Sequence, residues 1–185
     1  MTTDDIEFAE AYKILCNPKL EDSGKHQGQL CFGEIGRNKV ALLKWLGTVT
    51  SDSRAHALCA ETINKLKPKA IVALGVCSGM KKELHLLGDI LVSSQVYIHE
   101  PSSVNTDSSS NSLCPTFDCN LGLTQLFARG RFGWYCPSRE ELVPKVEVGQ
   151  VISGTQAVNK DELRKLDSEA IGVDMQSGGM LQNYI

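Results

Sequence analysis

The chain lacks the sequence features that mark nucleic-acid-binding, secreted or membrane proteins. The chain has 19 Lys and Arg and 22 Asp and Glu, for a net charge of -3, and its basic residues do not cluster into a stripe. Nucleic acid and membranes are therefore not expected as partners, because both attract clustered cations. No apolar run approaches the roughly 20 residues of a membrane-spanning helix. The acidic N-terminus does not resemble a signal peptide, so we expect a cytoplasmic protein.

Metal and cofactor motifs are missing as well. The seven Cys are odd in number, irregularly spaced and without a Cys-x-x-Cys pair, and the four His lie far apart. This pattern argues against both a disulfide framework and a structural zinc site. Neither GxGxxG nor a P-loop occurs, so no dinucleotide or ATP is predicted. We expect reduced thiols, no metal and no cofactor.

What the chain does contain is a regular series of helix and strand patterns. Helices are predicted over 4–15, 54–66, 120–129 and 161–166, and strands over 29–35, 39–46, 69–76, 88–98, 145–153 and 170–175. Asn17-Pro18 should end the first helix. Gly36, Arg37 and Asn38 should connect two strands as a hairpin. Residues 101–116, rich in Ser, Asn and Pro, are predicted to form a surface loop.

The continuous apolar run over 69–76 is typical of a strand that is buried on both faces of a parallel sheet. It follows a predicted strand and a predicted helix, which is the order of a βαβ unit. A length of 185 residues fits one domain. The sequence therefore predicts a single α/β domain over residues 1–185.

Ligands of open α/β sheets bind beyond the carboxyl ends of the strands. Three segments lie at such positions: Gly75–Met80, Ser153–Gln156 and Asp174–Gln176. Each has two interpretations. The glycine turn either serves tight packing or lets amides approach a ligand, the second segment is a plain turn or a site, and Asp174 is a helix cap or a site residue.

The order and spacing of these segments add what no single segment provides. A small-residue loop is followed by Gly88-Asp89-Ile90-Leu91-Val92-Ser93, then by Ile152-Ser153-Gly154, and finally by Ala170-Ile171-Gly172-Val173-Asp174-Met175-Gln176. This arrangement resembles the nucleoside phosphorylase family, and within it the methylthioadenosine/adenosylhomocysteine nucleosidases. The resemblance extends from about residue 5 to 181, and the second and fourth segments are its specific parts.

The resemblance implies a three-layer phosphorylase-like α/β fold with a mixed, mainly parallel central sheet. Family members begin with a buried strand and continue past the last motif to a strand and helix that carry the acid for the leaving base. Neither element has a counterpart between Met1 and Ile185. We therefore expect a truncated domain, a fragment or a degenerate paralogue, and no residue is assigned as the leaving-group acid.

The resemblance also assigns site residues. Glu7 matches the water-activating Glu, and Gln176 matches the second acid of Glu-Met-Glu, which grips the ribose diol. Substrate contacts are implied for Val76, Cys77, Ser78, Gly79, Ala157, Val158, Asp174, Met175 and Gln176. Phosphate is disfavoured, because the matching positions of phosphate-binding relatives are Ala73 and Val76 here. The implied ligand is a purine nucleoside, and the implied assembly is a homo-oligomer.

Three functions follow as hypotheses. The favoured one is hydrolytic cleavage of the N-glycosidic bond of a purine nucleoside. The second is a catalytically inactive nucleoside-sensing or scaffolding module of the same fold, since Gln176 replaces an acid and the leaving-group acid is missing. The third is an unrelated α/β hydrolase or redox enzyme that uses Cys77 as its nucleophile.

Overall fold

The computed structural model describes residues 2, 4–22, 28–45, 53–81, 84–99, 115–130, 144–154 and 169–174. They divide between two compact units. Unit 1 comprises Met1–Val76 with Gly179–Ile185, and unit 2 comprises Cys77–Gly178. Each unit is built around its own sheet. The single domain expected over residues 1–185 stays a prediction.

Unit 1 begins with helix α1, Asp5–Lys13, within the helix predicted over 4–15. Asp4 caps it: the Asp4 side chain accepts from the Ile6 amide at 2.7 Å, and Glu7 accepts from the Asp4 amide at 3.3 Å. This reciprocal capping box satisfies amides that a helix start leaves without partners. The buried face of α1 joins the core of unit 1, formed by Phe8, Ala11, Leu15, Cys31 and Leu42.

The sheet of unit 1 is an antiparallel meander of three strands: β1 (Cys16–Asp22), β2 (Gly28–Ile35) and β3 (Asn38–Trp45). The last two confirm the predicted hairpin, except that Asn38 already pairs with Ile35. Gly36 has φ of 60°, which a two-residue hairpin turn requires and glycine adopts without strain. Strand β1 was not predicted, because Asn17-Pro18 is typical of a turn.

Helix α2, Ser53–Leu66, confirms the helix predicted over 54–66. The strand predicted over 69–76 is wrong, since these residues belong to neither sheet. Val72, Leu74 and Val76 are 43%, 51% and 80% exposed. An apolar run shows which side chains favour burial, but a strand also needs a neighbouring strand in register. Among the strands that the structure describes, none pairs with this segment.

Unit 2 contains β4 (Ser78–Gly79), β5 (Ile90–His99), β6 (Thr116–Asp118), helix α3 (Leu121–Gly130), β7 (Val146–Gly154) and β8 (Gly172–Asp174). Its sheet has the order β4-β8-β7-β5-β6. The central pairs β5–β7 and β7–β8 are parallel, and the edge pairs are antiparallel. This mixed α/β architecture confirms the predicted fold class.

Most elements of unit 2 follow the sequence patterns. β5, β7, β8 and α3 lie where strands and a helix were predicted over 88–98, 145–153, 170–175 and 120–129. The short strands β4 and β6 were missed, and β6 begins at the last residue of the predicted loop. Residues 101–114 of that loop and the helix predicted over 161–166 lie outside the described residues. Among the helices described, none is both long and apolar enough to span a bilayer.

The core of unit 2 lies on the centre of its sheet. Ile152 of β7 has no exposed surface and packs in a cluster with Met80 and Ala170, against Tyr97 and Val173. In the strand register, Ile152 is the partner of both Tyr97 and Val173. The core therefore joins the three central strands directly, which fixes the relative positions of their carboxyl ends.

Candidate functional site at the carboxyl edge of the unit 2 sheet

The carboxyl ends of β5, β7 and β8 meet at one edge of the unit 2 sheet. His99 pairs with Gly154, and Ser153 pairs with Asp174. Strand β4 runs in the opposite direction and pairs Ser78 with Val173, so its first residues lie at the same edge. The structure thus brings together, within one unit, parts of all three segments that the strand-end rule selects.

Cys77 and Asp174 are close neighbours at this edge. Burial, and then the charge of the Asp174 carboxylate, raise the pKa of the Cys77 thiol above its usual value. A raised pKa keeps the thiol protonated, whereas a nucleophilic Cys needs a stabilised thiolate. This environment counts against the hypothesis that Cys77 is the nucleophile of an unrelated hydrolase or redox enzyme.

Gly172, the first residue of β8, lies in close contact with its surroundings. A Cβ atom on Gly172 would lie 2.7 Å from Leu91 Cδ1, 3.6 Å from the Ser78 carbonyl oxygen and 3.8 Å from Cys77 Sγ. Glycine at position 172 therefore allows β8 to approach β4 and Leu91 without a clash. Ser153, at the carboxyl end of β7, is only 3% exposed.

Glu7 contacts the beginning of the glycine turn inside unit 1. Its Oε1 accepts a hydrogen bond from the Val76 amide at 2.8 Å, across 69 positions of sequence. Its Oε2 accepts from Asp4 in the capping box. The helix start therefore aims the Glu7 carboxylate at the peptide of Val76. These are two of the residues that the family resemblance places at the substrate.

The other predicted substrate contacts, Ala157, Val158, Met175 and Gln176, lie outside the described residues. Among the residues that are described, no group of three or more His, Cys, Asp and Glu has the arrangement of a metal site. The site assignments as a whole remain predictions, with Glu7, Val76, Cys77, Ser78, Gly79 and Asp174 located as above.

His99 is a residue at this edge that the sequence patterns did not select. Its Nδ1 atom is buried and has no hydrogen-bond partner in the described structure. A buried nitrogen without a partner is unfavourable, by about 1–3 kcal/mol, so it indicates local strain, a bound water or ion, or a functional role. The predicted strand ended at residue 98. Extending it by one position would have placed His99 at the strand end, where ligands of α/β sheets bind.

A cluster of charged residues lies near the amino end of β7. Glu147 contacts Lys145 Nζ at 2.9 Å, His85 Nε2 at 3.1 Å and Lys81 Nζ at 3.5 Å. The hydrogen bond from Lys145 lowers the pKa of Glu147, and the hydrogen bond from His85 adds to this effect. Burial acts in the opposite direction, and the resulting pKa is about 2 instead of 4.5. The ionised carboxylate is thus favoured by folding.

This pKa predicts how stability depends on pH. A carboxylate with a depressed pKa stabilises the fold above its ordinary pKa of 4.5, and that stabilisation is lost as the pH falls towards about 2. We expect Glu147→Gln to lower the unfolding free energy at pH 7 by up to about 3 kcal/mol and to flatten its decline in this acidic range. Urea titrations at several pH values measure both. Glu34→Gln, an exposed carboxylate on β2, is the control; parallel curves for the two variants would contradict the assignment.

The fold and this edge define an α/β protein whose parallel strands end together at one edge of a mixed sheet. The chain belongs to the phosphorylase superfamily, whose family model matches residues 3–182. The sequence resemblance to this family is thereby confirmed. Comparison with curated protein sequences yields no match.

Several solved structures of nucleosidases have the same fold. The 5'-methylthioadenosine/S-adenosylhomocysteine nucleosidase of Neisseria meningitidis, in complex with methylthio-immucillin-A, has a TM-score of 0.76 and 19% identity, over 98% of this chain and 76% of that one. The Colwellia psychrerythraea enzyme, in complex with adenine, has a TM-score of 0.74 and 18% identity, over 98% of this chain and 73% of that one. The Streptococcus pyogenes S-adenosylhomocysteine nucleosidase, in complex with 5-methylthiotubericidin, has a TM-score of 0.73 and 16% identity, over 98% of this chain and 74% of that one. The chain therefore has the phosphorylase-like fold.

Proposed function

We propose that the protein binds a purine nucleoside and cleaves its N-glycosidic bond with water. The main support is that Cys77, Ser78, Ser153 and Asp174 converge on one sheet edge within unit 2. The nucleosidases with the same fold are recorded with adenine or nucleoside analogues bound. Shared fold and convergent strand ends together favour a nucleoside over other small ligands.

Each step of such a reaction has a chemical requirement. The ribose hydroxyls need acceptors, which Asp174 and Gln176 are proposed to provide; a carboxylate forms the stronger, charge-assisted bonds. The attacking water needs orientation and a base. We propose Glu7 for this role, supported by its hydrogen bond to the Val76 amide at the glycine turn.

Water is preferred to phosphate as the nucleophile. Phosphorolysis needs cationic or hydroxyl side chains for the anion, and the family resemblance places Ala73 and Val76 at those positions. The cytoplasmic location and the homo-oligomer expected from the sequence belong to the same proposal. Cell fractionation and light scattering of the purified protein test them.

The direct test is release of the free base. The protein is incubated with methylthioadenosine, adenosylhomocysteine, adenosine or inosine, each with and without phosphate, and the bases are quantified by chromatography. We expect adenine or hypoxanthine without added phosphate. Base release that requires phosphate would overturn the hydrolytic assignment. Thermal shifts with the same nucleosides but no base release would show a binding module, and no response in either assay would exclude the proposal.

A single substitution tests the ribose assignment. Gln176→Glu replaces a neutral acceptor with a carboxylate, and a charged hydrogen bond is stronger by about 1–2 kcal/mol. We expect methylthioadenosine to bind about 5- to 30-fold more tightly, measured by calorimetry. 2'-Deoxyadenosine, which lacks one of the two hydroxyls, should gain less. An equal gain for both ligands, or no gain, would contradict the assignment of Gln176 to the diol.

A further inference from the structure

His85 occupies a well-defined environment between two elements of unit 2. Its side chain is 6% exposed, and its Nε2 lies 3.1 Å from the Glu147 carboxylate on β7. Its Nδ1 accepts the Lys81 amide at 3.4 Å, and its own amide donates to the Lys81 carbonyl at 3.0 Å. Because Nδ1 accepts a hydrogen bond from an amide, the ring proton lies on Nε2, and the Nε2–H group donates a hydrogen bond to the Glu147 carboxylate. The ring therefore ties the turn after β4 to β7.

The same ring lies against the backbone of Gly79. A Cβ atom on Gly79 would lie 2.8 Å from both Cβ and Nδ1 of His85. These separations are too short for any side chain at position 79, so only glycine admits the imidazole here. His85 thus contacts β4 directly while it is anchored to β7.

Strand β4 needs such support because it is very short. Among the described residues, its ladder to β8 contains the pairs Ser78–Val173 and Gly79–Gly172, followed by the hydrogen bond from the Met80 amide to the Ile171 carbonyl at 3.0 Å. A strand that is held by so few backbone hydrogen bonds detaches easily from its sheet unless side-chain packing supports it. The position of β4 in turn determines how Cys77 lies beside Asp174.

We propose that His85 is a positioning residue: anchored by Glu147, it holds β4 against β8 and thereby sets the placement of Cys77 and Ser78 at the candidate site. Its relevance to nucleoside binding depends on the proposed function, but its effect on β4 does not. Lys81 and Lys145 contact the same carboxylate. They keep Glu147 ionised and in place, while only His85 reaches Gly79 among the contacts described.

The first test needs no nucleoside. Cys77 modification by iodoacetamide is followed by peptide mass spectrometry in the wild type and in His85→Ala. We expect labelling of Cys77 to accelerate about 10-fold, because local opening of β4 becomes easier when an anchored hydrogen bond is lost. Cys119, whose thiol contacts Ser93 Oγ at 3.5 Å on the other side of β5, is the internal control. Unchanged Cys77 labelling, or equal acceleration of Cys119, would overturn the proposal.

Conservative variants separate positioning from general packing. His85→Gln can keep a nitrogen donor directed at Glu147 and should restore slow labelling in large part, whereas His85→Asn is too short to reach and should behave like His85→Ala. Gly79→Ala should also accelerate labelling, because its Cβ atom would lie 2.8 Å from both Cβ and Nδ1 of His85 and would displace this side chain. No acceleration in Gly79→Ala, or no difference between His85→Gln and His85→Asn, would contradict the mechanism.

The affinity for a nucleoside then tests whether the positioning role of His85 affects the candidate site. Methylthioadenosine affinity should fall about 10-fold in His85→Ala and recover in His85→Gln. If the wild type binds no nucleoside, the proposed function fails while the labelling results still decide the role of His85. If nucleoside binds and Cys77 labelling is insensitive to His85, the positioning role fails and the proposed function stands.

Discussion

Glu7→Gln should lower the rate of base release from methylthioadenosine by about 100- to 10,000-fold, the usual contribution of a general base. Gln has nearly the same shape as Glu. Its side-chain carbonyl can still accept the hydrogen bond that the Val76 amide donates to Glu7 Oε1 at 2.8 Å. The charge is lost while the connection to the glycine turn is kept. We therefore expect kcat to fall and KM to change little, as measured in a coupled assay for adenine.

Two controls make the Glu7 result specific. Glu10→Gln, on the same helix, removes an exposed carboxylate that pairs with Lys13 and should leave the rate unchanged. The unfolding free energy of Glu7→Gln should stay within about 1 kcal/mol of the wild type, since the bonds to the Asp4 and Val76 amides are both exposed and the second is kept in a neutral form. A rate loss below threefold would remove Glu7 from the catalytic assignment, as would a rise in KM with kcat unchanged.

Ile152→Ala should lower the unfolding free energy by about 2–5 kcal/mol, the range for truncating a large buried aliphatic side chain. Ile152 has no exposed surface and packs in the cluster that contains Met80 and Ala170. Its position in the central strand β7 leaves neighbours on both sides that cannot close the cavity without moving strands. Urea denaturation should show a lower midpoint with an unchanged m-value.

Val148→Ala is the matched control for Ile152, because Val148 lies on the same strand but is 39% exposed. It buries less surface, and its truncation should cost well under half as much. Ile152→Val, which removes a single methylene, should cost about 0.5–1.5 kcal/mol. Equal losses for Ile152→Ala and Val148→Ala would show that the core of unit 2 is not centred on β7.

The site depends on contacts that no local pattern contains. Glu7 and Val76 are 69 positions apart, and His85 and Glu147 are 62 apart. The strand-end rule selected Asp174 because a buried strand precedes it, and that rule depends only on local sequence. It does not specify which strands are neighbours. The proximity of Cys77 to Asp174 follows from the antiparallel pairing of β4 with β8, which a two-residue strand does not reveal in sequence.

The sequence by itself determined the elements whose signals are local. The helical period of α1, the Gly36 hairpin and the apolar segments of β5 and β7 act over a few residues, and each of these elements was predicted close to its observed bounds. Tertiary structure alone decided the pairing of strands that are distant in sequence. The apolar run over 69–76 stays outside both sheets, while Ser78–Gly79, with almost no strand signal, joins one. The reason is physical: apolar periodicity expresses a preference for burial, but a strand exists only where a neighbour offers hydrogen bonds in register.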